Sequence, residues 1–202
     1  MTSNQQNPSG NWLSAPNALL VLSLNSAILD LVDRGNPMPI VLIDGPAGAG
    51  KSTLAKHLQN ALFRLGESAP RVIHMDDLYP GWDGLAAGSD YLVRNILSPL
   101  KQGKTASWQV FDWAKGQRTE WREFSGGTPL VIEGCGSISA VAAELADFRI
   151  WVEAPEELRH QRWVEREGDD NHWASWRAQE LDFYAREQSK AMADYVYQGL
   201  EA

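Results

Sequence analysis

Cysteine is almost missing from this chain: Cys135 is the one example in 202 residues. No internal disulfide can form, and the usage suits a reducing compartment, so a cytoplasmic protein is expected. Basic residues are also in short supply, with 18 Lys and Arg against 26 Asp and Glu and a formal net charge of −8. A field of that sign repels a phosphodiester backbone, which argues against sequence-independent nucleic-acid binding. An anionic ligand must then be held by a local group of cations. No apolar run reaches the roughly 20 residues of a membrane-spanning helix, so no membrane partner is expected. The opening MTSNQQNPSGNW has neither the basic nor the apolar block of a secretion signal. Internal repeats are lacking, as is any linker that would split the chain.

The 44% apolar content is that of an ordinary globular protein. Residues 1–16 are polar and expected to be a flexible tail. Residues 17–202 are expected to form a single α/β domain with a sizeable core. Nine tryptophans are many for this length; most should pack the core and its helices, and a few could line a pocket.

The most specific stretch is Pro39 to Thr53, PIVLIDGPAGAGKST. An apolar strand run meets Gly45-Pro46-Ala47-Gly48-Ala49-Gly50-Lys51-Ser52, the G-x-x-x-x-G-K-S pattern of a P-loop. Glycines permit backbone angles that turn successive N–H groups inward around an anion, and the helix that follows adds its positive end. Gly45, Ala47, Gly48, Ala49, Gly50, Lys51, Ser52 and Thr53 are therefore the expected nucleotide-binding residues. Lys51 would reach the β- and γ-phosphates of ATP and Ser52 would offer a hydroxyl to Mg²⁺.

Strand and helix signals alternate along the rest, which predicts a doubly wound, mostly parallel sheet with flanking helices, the P-loop NTPase architecture. A helix is expected over 17–34, with Asn17 as cap and Gly35 as stop. A turn is expected over 66–70. Arg71 to Met75 reads as a buried strand ending at Asp76 and Asp77. Acids at the carboxyl end of a parallel strand sit where a second substrate faces the loop, and an acceptor hydroxyl needs a carboxylate to take its proton. Spacing alone leaves open which of the two faces the acceptor. Residues 81–89 read as small and flexible, with a helix from Asp90. Strands over 106–113 and 117–124 read as a hairpin, with Trp108, Val110 and Asp112 on one face and Gln109, Phe111 and Trp113 on the other. An aromatic face there either stacks a flat ring or covers the sheet edge. Leu130 to Glu133 is a strand ending in an acid; Glu133 either holds Mg²⁺ or braces the P-loop. Cys135 is expected to pack rather than react. After the strand Phe148–Glu153, a helix carries Arg159, Arg162 and Arg166 on one face, expected as a lid over about 156–175 that stabilises the charge of a transferring phosphoryl group. A helix over 172–192 and a short strand at Tyr195–Tyr197 follow.

These segments resemble, in order, the uridine kinase branch of the P-loop kinases: GPAGAGKST at 45–53, DDLY at 76–79, FDWAKGQR at 111–118, VIEG at 131–134 and the Arg-rich helix at 159–166. The resemblance implies that Asp76 is the catalytic acceptor-binding aspartate, with Asp77 in the place of a serine. It implies that Phe111, Asp112 and Arg118 touch the acceptor, with Tyr79 and Trp113 of the same segments beside them, and that Arg162 and Arg166 are lid arginines. The family's base-contacting histidine falls at Gly116, and its tyrosine at Phe111. The expected activity is an ATP- and Mg²⁺-dependent kinase acting on a hydroxyl of a nucleoside or similar metabolite. A nucleotide kinase with a phosphate acceptor and a regulatory ATPase without a small acceptor are the alternatives. A homo-oligomer is left open.

Overall fold

The computed structural model describes residues 15–64 and 70–199. All but the end of the expected N-terminal tail, and the expected 66–70 turn apart from Pro70, lie outside the described residues. Helix α1 (Ala15–Asp33) begins two residues before Asn17, so Asn17 lies inside its first turn and is not its cap.

Five strands form one parallel sheet: β1 (Ile40–Asp44), β2 (Arg71–His74), β5 (Leu130–Glu133), β6 (Phe148–Glu153) and β7 (Tyr195–Gln198), in the order β2-β5-β1-β6-β7. A central strand of such a sheet is covered on both faces, and this is why β1 reads as an unbroken apolar run and is buried at all five positions. Alternate side chains divide between two cores. Val41, Ile43, Ile150 and Val152 pack under α1 and α2 (Lys51–Arg64) with Leu24, Ile28, Leu54 and Leu58. Ile40, Leu42, Leu130 and Ile132 pack on the opposite face with Met75, Leu85, Ile96, Trp163 and Phe183.

Several boundaries differ from expectation. Strand β2 stops at His74, and Met75–Asp77 turn as a 3₁₀ helix with Met75 buried. The segment expected to be flexible folds: helix α3 spans Leu85–Leu92 and continues through a π-turn, Val93–Leu97, into α4 (Ser98–Lys101). Its small residues are small for packing. A side chain at Gly88 would meet the Tyr79 ring at 2.5 Å, so glycine is what lets α3 approach. Strands β3 (Ala106–Asp112) and β4 (Gln117–Phe124) form the expected antiparallel hairpin, but a bulge between Gln109 and Phe111 shifts the alternation. Trp108 and Phe111 are consequently both buried, and the expected grouping of Phe111 with Gln109 against Trp108 does not hold. Helix α5 (Ala140–Leu145), capped by Ser139, is an element without a forecast. Helix α6 (Glu156–Glu167) ends at left-handed Gly168, and α7 (Trp173–Glu187) stops at Gln188, short of the expected 192.

The end of β1 is tied to its surroundings by Asp44, which is fully buried. Its carboxylate accepts from the N–H groups of Gly45 (2.6 Å), Gly136 (2.9 Å) and Ile138 (2.7 Å) and from the Tyr184 hydroxyl (2.9 Å). One side chain thus joins the start of the glycine loop, the loop after β5, and α7.

Burial lifts the Asp44 carboxyl to about 6 from an ordinary 3.8, against the pull of those hydrogen bonds and of Lys51. Between these values the folded state holds a proton that the unfolded chain has released, so stability falls as pH climbs through that window and levels off above it, where the carboxyl is ionised in both states. Relative to Asp44→Asn, the wild type is expected to lose about 3 kcal/mol of unfolding free energy across the window. Denaturant melts of both proteins from about pH 4 to pH 7 measure this, and parallel curves would refute it.

Candidate active site

The glycine loop between β1 and α2 lies at the carboxyl edge of the sheet. Gly48 has φ +76°, and a side chain there would come within 2.4 Å of the Arg159 carbonyl, so the loop can pass under α6 only as glycine. The first-turn amides of α2 lack intrahelical partners and point toward the loop's mouth. The Lys51 ammonium is buried and donates to Gly45 O (2.7 Å), Pro46 O (2.9 Å) and Cys135 Sγ (3.4 Å). Burial works against its charge, yet Cys135, Glu180, Glu133 and Asp44 together outweigh this and hold Lys51 above the usual lysine range.

Above the loop opens a cleft of about 800 Å³. Ala47, Gly48, Gly50, Lys51, Ser52 and Thr53 line one side, and Asp76, Tyr79, Trp82, Trp113 and Trp176 contribute to the other. Glu133 and Cys135 are in its wall, as are Arg162, Trp163, Arg166 and Glu167 of α6. Gly45 and Ala49 are part of the loop but do not line the cleft; Gly45 N donates to Asp44, and Ala49 N to Pro46 O at 3.2 Å.

The acid that closes β5 is well anchored. Ser52 donates its hydroxyl to Glu133 Oε1 at 3.0 Å, and His74 Nδ1 lies 2.6 Å from the same oxygen. That hydrogen bond raises the His74 pKa, burial opposing it. The two acids after β2 part company. Asp76 lines the cleft, while Asp77 turns to Arg122 of β4, 2.9 Å away. Asp76 keeps solvent contact, yet desolvation by the cleft around it raises its carboxyl above its ordinary range; Glu133 adds to the effect, and Arg166 and Lys51 oppose it.

Of the residues expected at the acceptor, Tyr79 and Trp113 reach the cleft. Tyr79 does so as a buried wall whose hydroxyl donates to Cys135 O at 2.7 Å. Trp113 donates its indole N–H to the main-chain oxygen of Asp76 at 2.9 Å. Phe111, Asp112 and Arg118 are not in the lining. The bulge buries Phe111, whose ring supports Trp113 edge-on at 5.5 Å. Asp112 pairs with Lys115 at 2.8 Å in the hairpin turn. Arg118 lies 3.6 Å above the Tyr91 ring and donates to Gln109 O (3.0 Å) and Leu78 O (2.8 Å). Its role is to tie the hairpin to the turn that carries Asp76.

The arginines of α6 also separate. Arg162 lines the cleft and donates to Gly48 O at 3.1 Å. Arg166 lines it too, held by Glu167 at 2.6 Å and by the Trp163 ring at 5.4 Å. Arg159 is buried beneath, donating to Ala47 O at 3.2 Å.

Sequence reasoning passed over Trp82, Trp163 and Trp176. Trp82 sits between Trp113 (4.8 Å) and Trp163 (5.6 Å) and stacks on His172 at 4.3 Å, joining the Trp113 side of the cleft to α6 and to the start of α7. The abundance of tryptophan was the signal, but these positions are far apart along the chain and show no shared period. The buried Trp163 indole N–H has no partner among the described residues.

The parallel sheet with a glycine loop after its central strand, and an acid after the edge strand β2 two places away, defines a P-loop NTPase fold. A profile of the AAA domain family matches residues 41–182, and the chain belongs to that family. Among solved structures, a possible uridine kinase from Bacillus stearothermophilus is similar, with TM-score 0.65 and 21% identity over 88% of this chain and 96% of that one. A provisionally assigned fructose transport system kinase from Silicibacter sp. TM1040 has TM-score 0.63 and 21% identity, over 88% and 98%. D-glycerate 3-kinase from Cryptococcus neoformans var. grubii has TM-score 0.51 and 14% identity, over 87% and 90%. These likenesses show the fold. No curated protein matches the sequence. Among the described residues, no helix is long and apolar enough to cross a membrane.

Cys135 lies in the cleft wall, but burial pushes its thiol far above the ordinary range, and Sγ–H donates to Glu180 at 3.2 Å. A protonated, enclosed thiol is a poor nucleophile. Its reaction with a disulfide reagent is expected to be at least about 100-fold slower in the native protein than in urea. Equal rates, followed by absorbance, would show the site to be open.

Proposed function

We propose that this protein is an ATP-dependent kinase that transfers the γ-phosphoryl group to a hydroxyl of a small acceptor, a nucleoside or similar metabolite. The observation that carries the reading is Asp76: a carboxylate in the wall of the cleft that the glycine loop opens into, with its near neighbour Asp77 engaged elsewhere.

The residues fit Mg²⁺-ATP. Backbone amides of the loop and of α2 suit the phosphates, and the hydroxyl of Ser52 and the carboxylate of Glu133, 3.0 Å apart, are the hard oxygen donors Mg²⁺ takes. Among the described residues no group of three or more His, Cys, Asp or Glu side chains could hold an ion unaided. That suits a cation that takes most of its ligands from phosphate and water. When bound, Mg²⁺ neutralises charge on the phosphate oxygens. Lys51 exchanges its loop carbonyls for phosphate oxygens. Asp76 accepts the proton of the acceptor hydroxyl as the acceptor oxygen bonds to the γ-phosphorus and the bond to the ADP oxygen breaks. Arg162 and Arg166, the cations of the lid, stabilise the charge spread over the transferring oxygens.

A hydroxyl acceptor is favoured over a phosphate one because the basic groups of the hairpin are committed: Lys115 to Asp112, Arg122 to Asp77, Arg118 to main-chain oxygens. The three similar structures are named for uridine, fructose transport and D-glycerate, and all three compounds carry hydroxyls.

ADP release measured against a panel of nucleosides, sugars and hydroxy acids tests the reading. Stimulation by one class is expected; turnover that no acceptor stimulates would point to a regulatory ATPase. Lys51→Ala should lower kcat/KM by at least about 100-fold with the fold intact. Asp76→Asn should lower kcat by about 100-fold or more, while Asp77→Asn stays within about fivefold, as loss of a part-exposed ion pair allows. Because Asp76 must be ionised to accept a proton, kcat rises with pH to a plateau, with its midpoint above the ordinary carboxylate range. Full activity in Asp76→Asn would refute the assignment.

A further inference from the structure

Helices α6 and α7 each send one buried charged side chain to the same residue of the glycine loop, gripping the peptide units on either side of it. Glu180 Oε1 accepts from Ala47 N–H at 2.6 Å, and Arg159 Nη1 donates to Ala47 O at 3.2 Å. The two residues are 3% and 8% exposed, and their charged groups lie 3.9 Å from each other. Ala47 is thus held at both its polar groups, by charges of opposite sign that also face one another. The Arg159 main chain closes over the next residue, Gly48.

We propose that Glu180 and Arg159 are positioning residues that set the orientation of the Ala47 backbone and so the nucleotide-binding shape of the loop. The inference rests on the kinase reading for its ligand and goes beyond it in assigning these two residues. Neither side chain needs to touch the nucleotide. A glycine-rich loop has many open backbone angles, and N–H groups must already converge if binding is not to be weakened by ordering them. A buried carboxylate on an amide is a charge-assisted hydrogen bond, stronger than a bond to water, and its burial makes the alternative of leaving Ala47 N–H empty costly. The opposite charge beside Glu180 keeps that carboxylate from standing alone in the core.

Affinity is read by titrating a fluorescent ATP analogue with Mg²⁺ into the full chain, and folding by thermal melting. Glu180→Gln retains an oxygen for Ala47 N–H and is expected to bind within about threefold of wild type. Glu180→Met removes it and is expected to bind about tenfold more weakly or worse. The distant core variant Ile28→Val is the control: a merely structural role lowers the melting temperature in both without weakening nucleotide binding in either. Glu180→Met that melts cooperatively and binds like wild type overturns the proposal.

Should Glu180→Met not fold, amide exchange in the nucleotide-free wild type decides. Slow exchange at Ala47 supports the clamp, and free exchange overturns it. Wild type that fails to bind the analogue at all counts against the kinase reading, and the exchange at Ala47 still judges the clamp by itself.

Discussion

Four ionisable side chains with almost no water on them meet at the glycine loop, Asp44, Glu133 and Glu180 around Lys51. An unpaired charge in such a place costs several kcal/mol, so each must find partners within reach. The partners are largely the loop itself. Asp44 and Glu180 take amides, Lys51 takes carbonyls, and Glu133 takes the hydroxyl at the head of α2. Glycine allows the path, but these charges choose it among the many that glycine allows. The loop's shape is therefore a consequence of electrostatics under it as much as of its own sequence.

The same arrangement bears on how a phosphate chain would be received. Lys51 is satisfied by two carbonyls of its own loop, so a phosphate would replace hydrogen bonds already made. What the ligand adds is charge: an ammonium on neutral carbonyls gains more from an anion. Arg162 follows the same logic through its bond to Gly48 O. These bonds to main-chain oxygens place both side chains at the loop before any phosphate arrives.

Reading the chain by residues alone reached far where a local pattern carried the information. The glycine loop and the apolar runs of the sheet follow from chemistry within a few positions. It went astray where distant packing decides. The 81–89 segment looks flexible because its residues are small, yet Gly88 is small to admit the Tyr79 ring. The hairpin alternation was sound until one extra residue near Val110 reversed it, and a bulge has no signature in a strand lacking glycine. Asp76 and Asp77 differ by one position, and the choice between them depends on Arg122, 45 residues away. Glu180 looks like any exposed helical acid, and its burial against Ala47 is fixed by how α7 crosses the loop, 133 residues from its partner.

The hairpin shows how a segment can keep a family's residue types and use them differently. Its polar groups point back into the protein. Trp113 holds the main chain of Asp76, Arg122 holds the side chain of Asp77, and Arg118 holds the carbonyl of Leu78. Three consecutive residues of the turn are thus each fastened to β3–β4 or its loop. A carboxylate that must meet a hydroxyl at one angle gains more from a fixed backbone than from a further contact with substrate, because misplacement by an ångström is enough to lose the reaction. The cleft that Asp76 lines is also rich in aromatic rings, among them Trp82, Trp113 and Trp176. On the proposed kinase reading, such walls would recognise a molecule by shape and by the flat faces it can offer, with Asp76 left to select the hydroxyl that reacts.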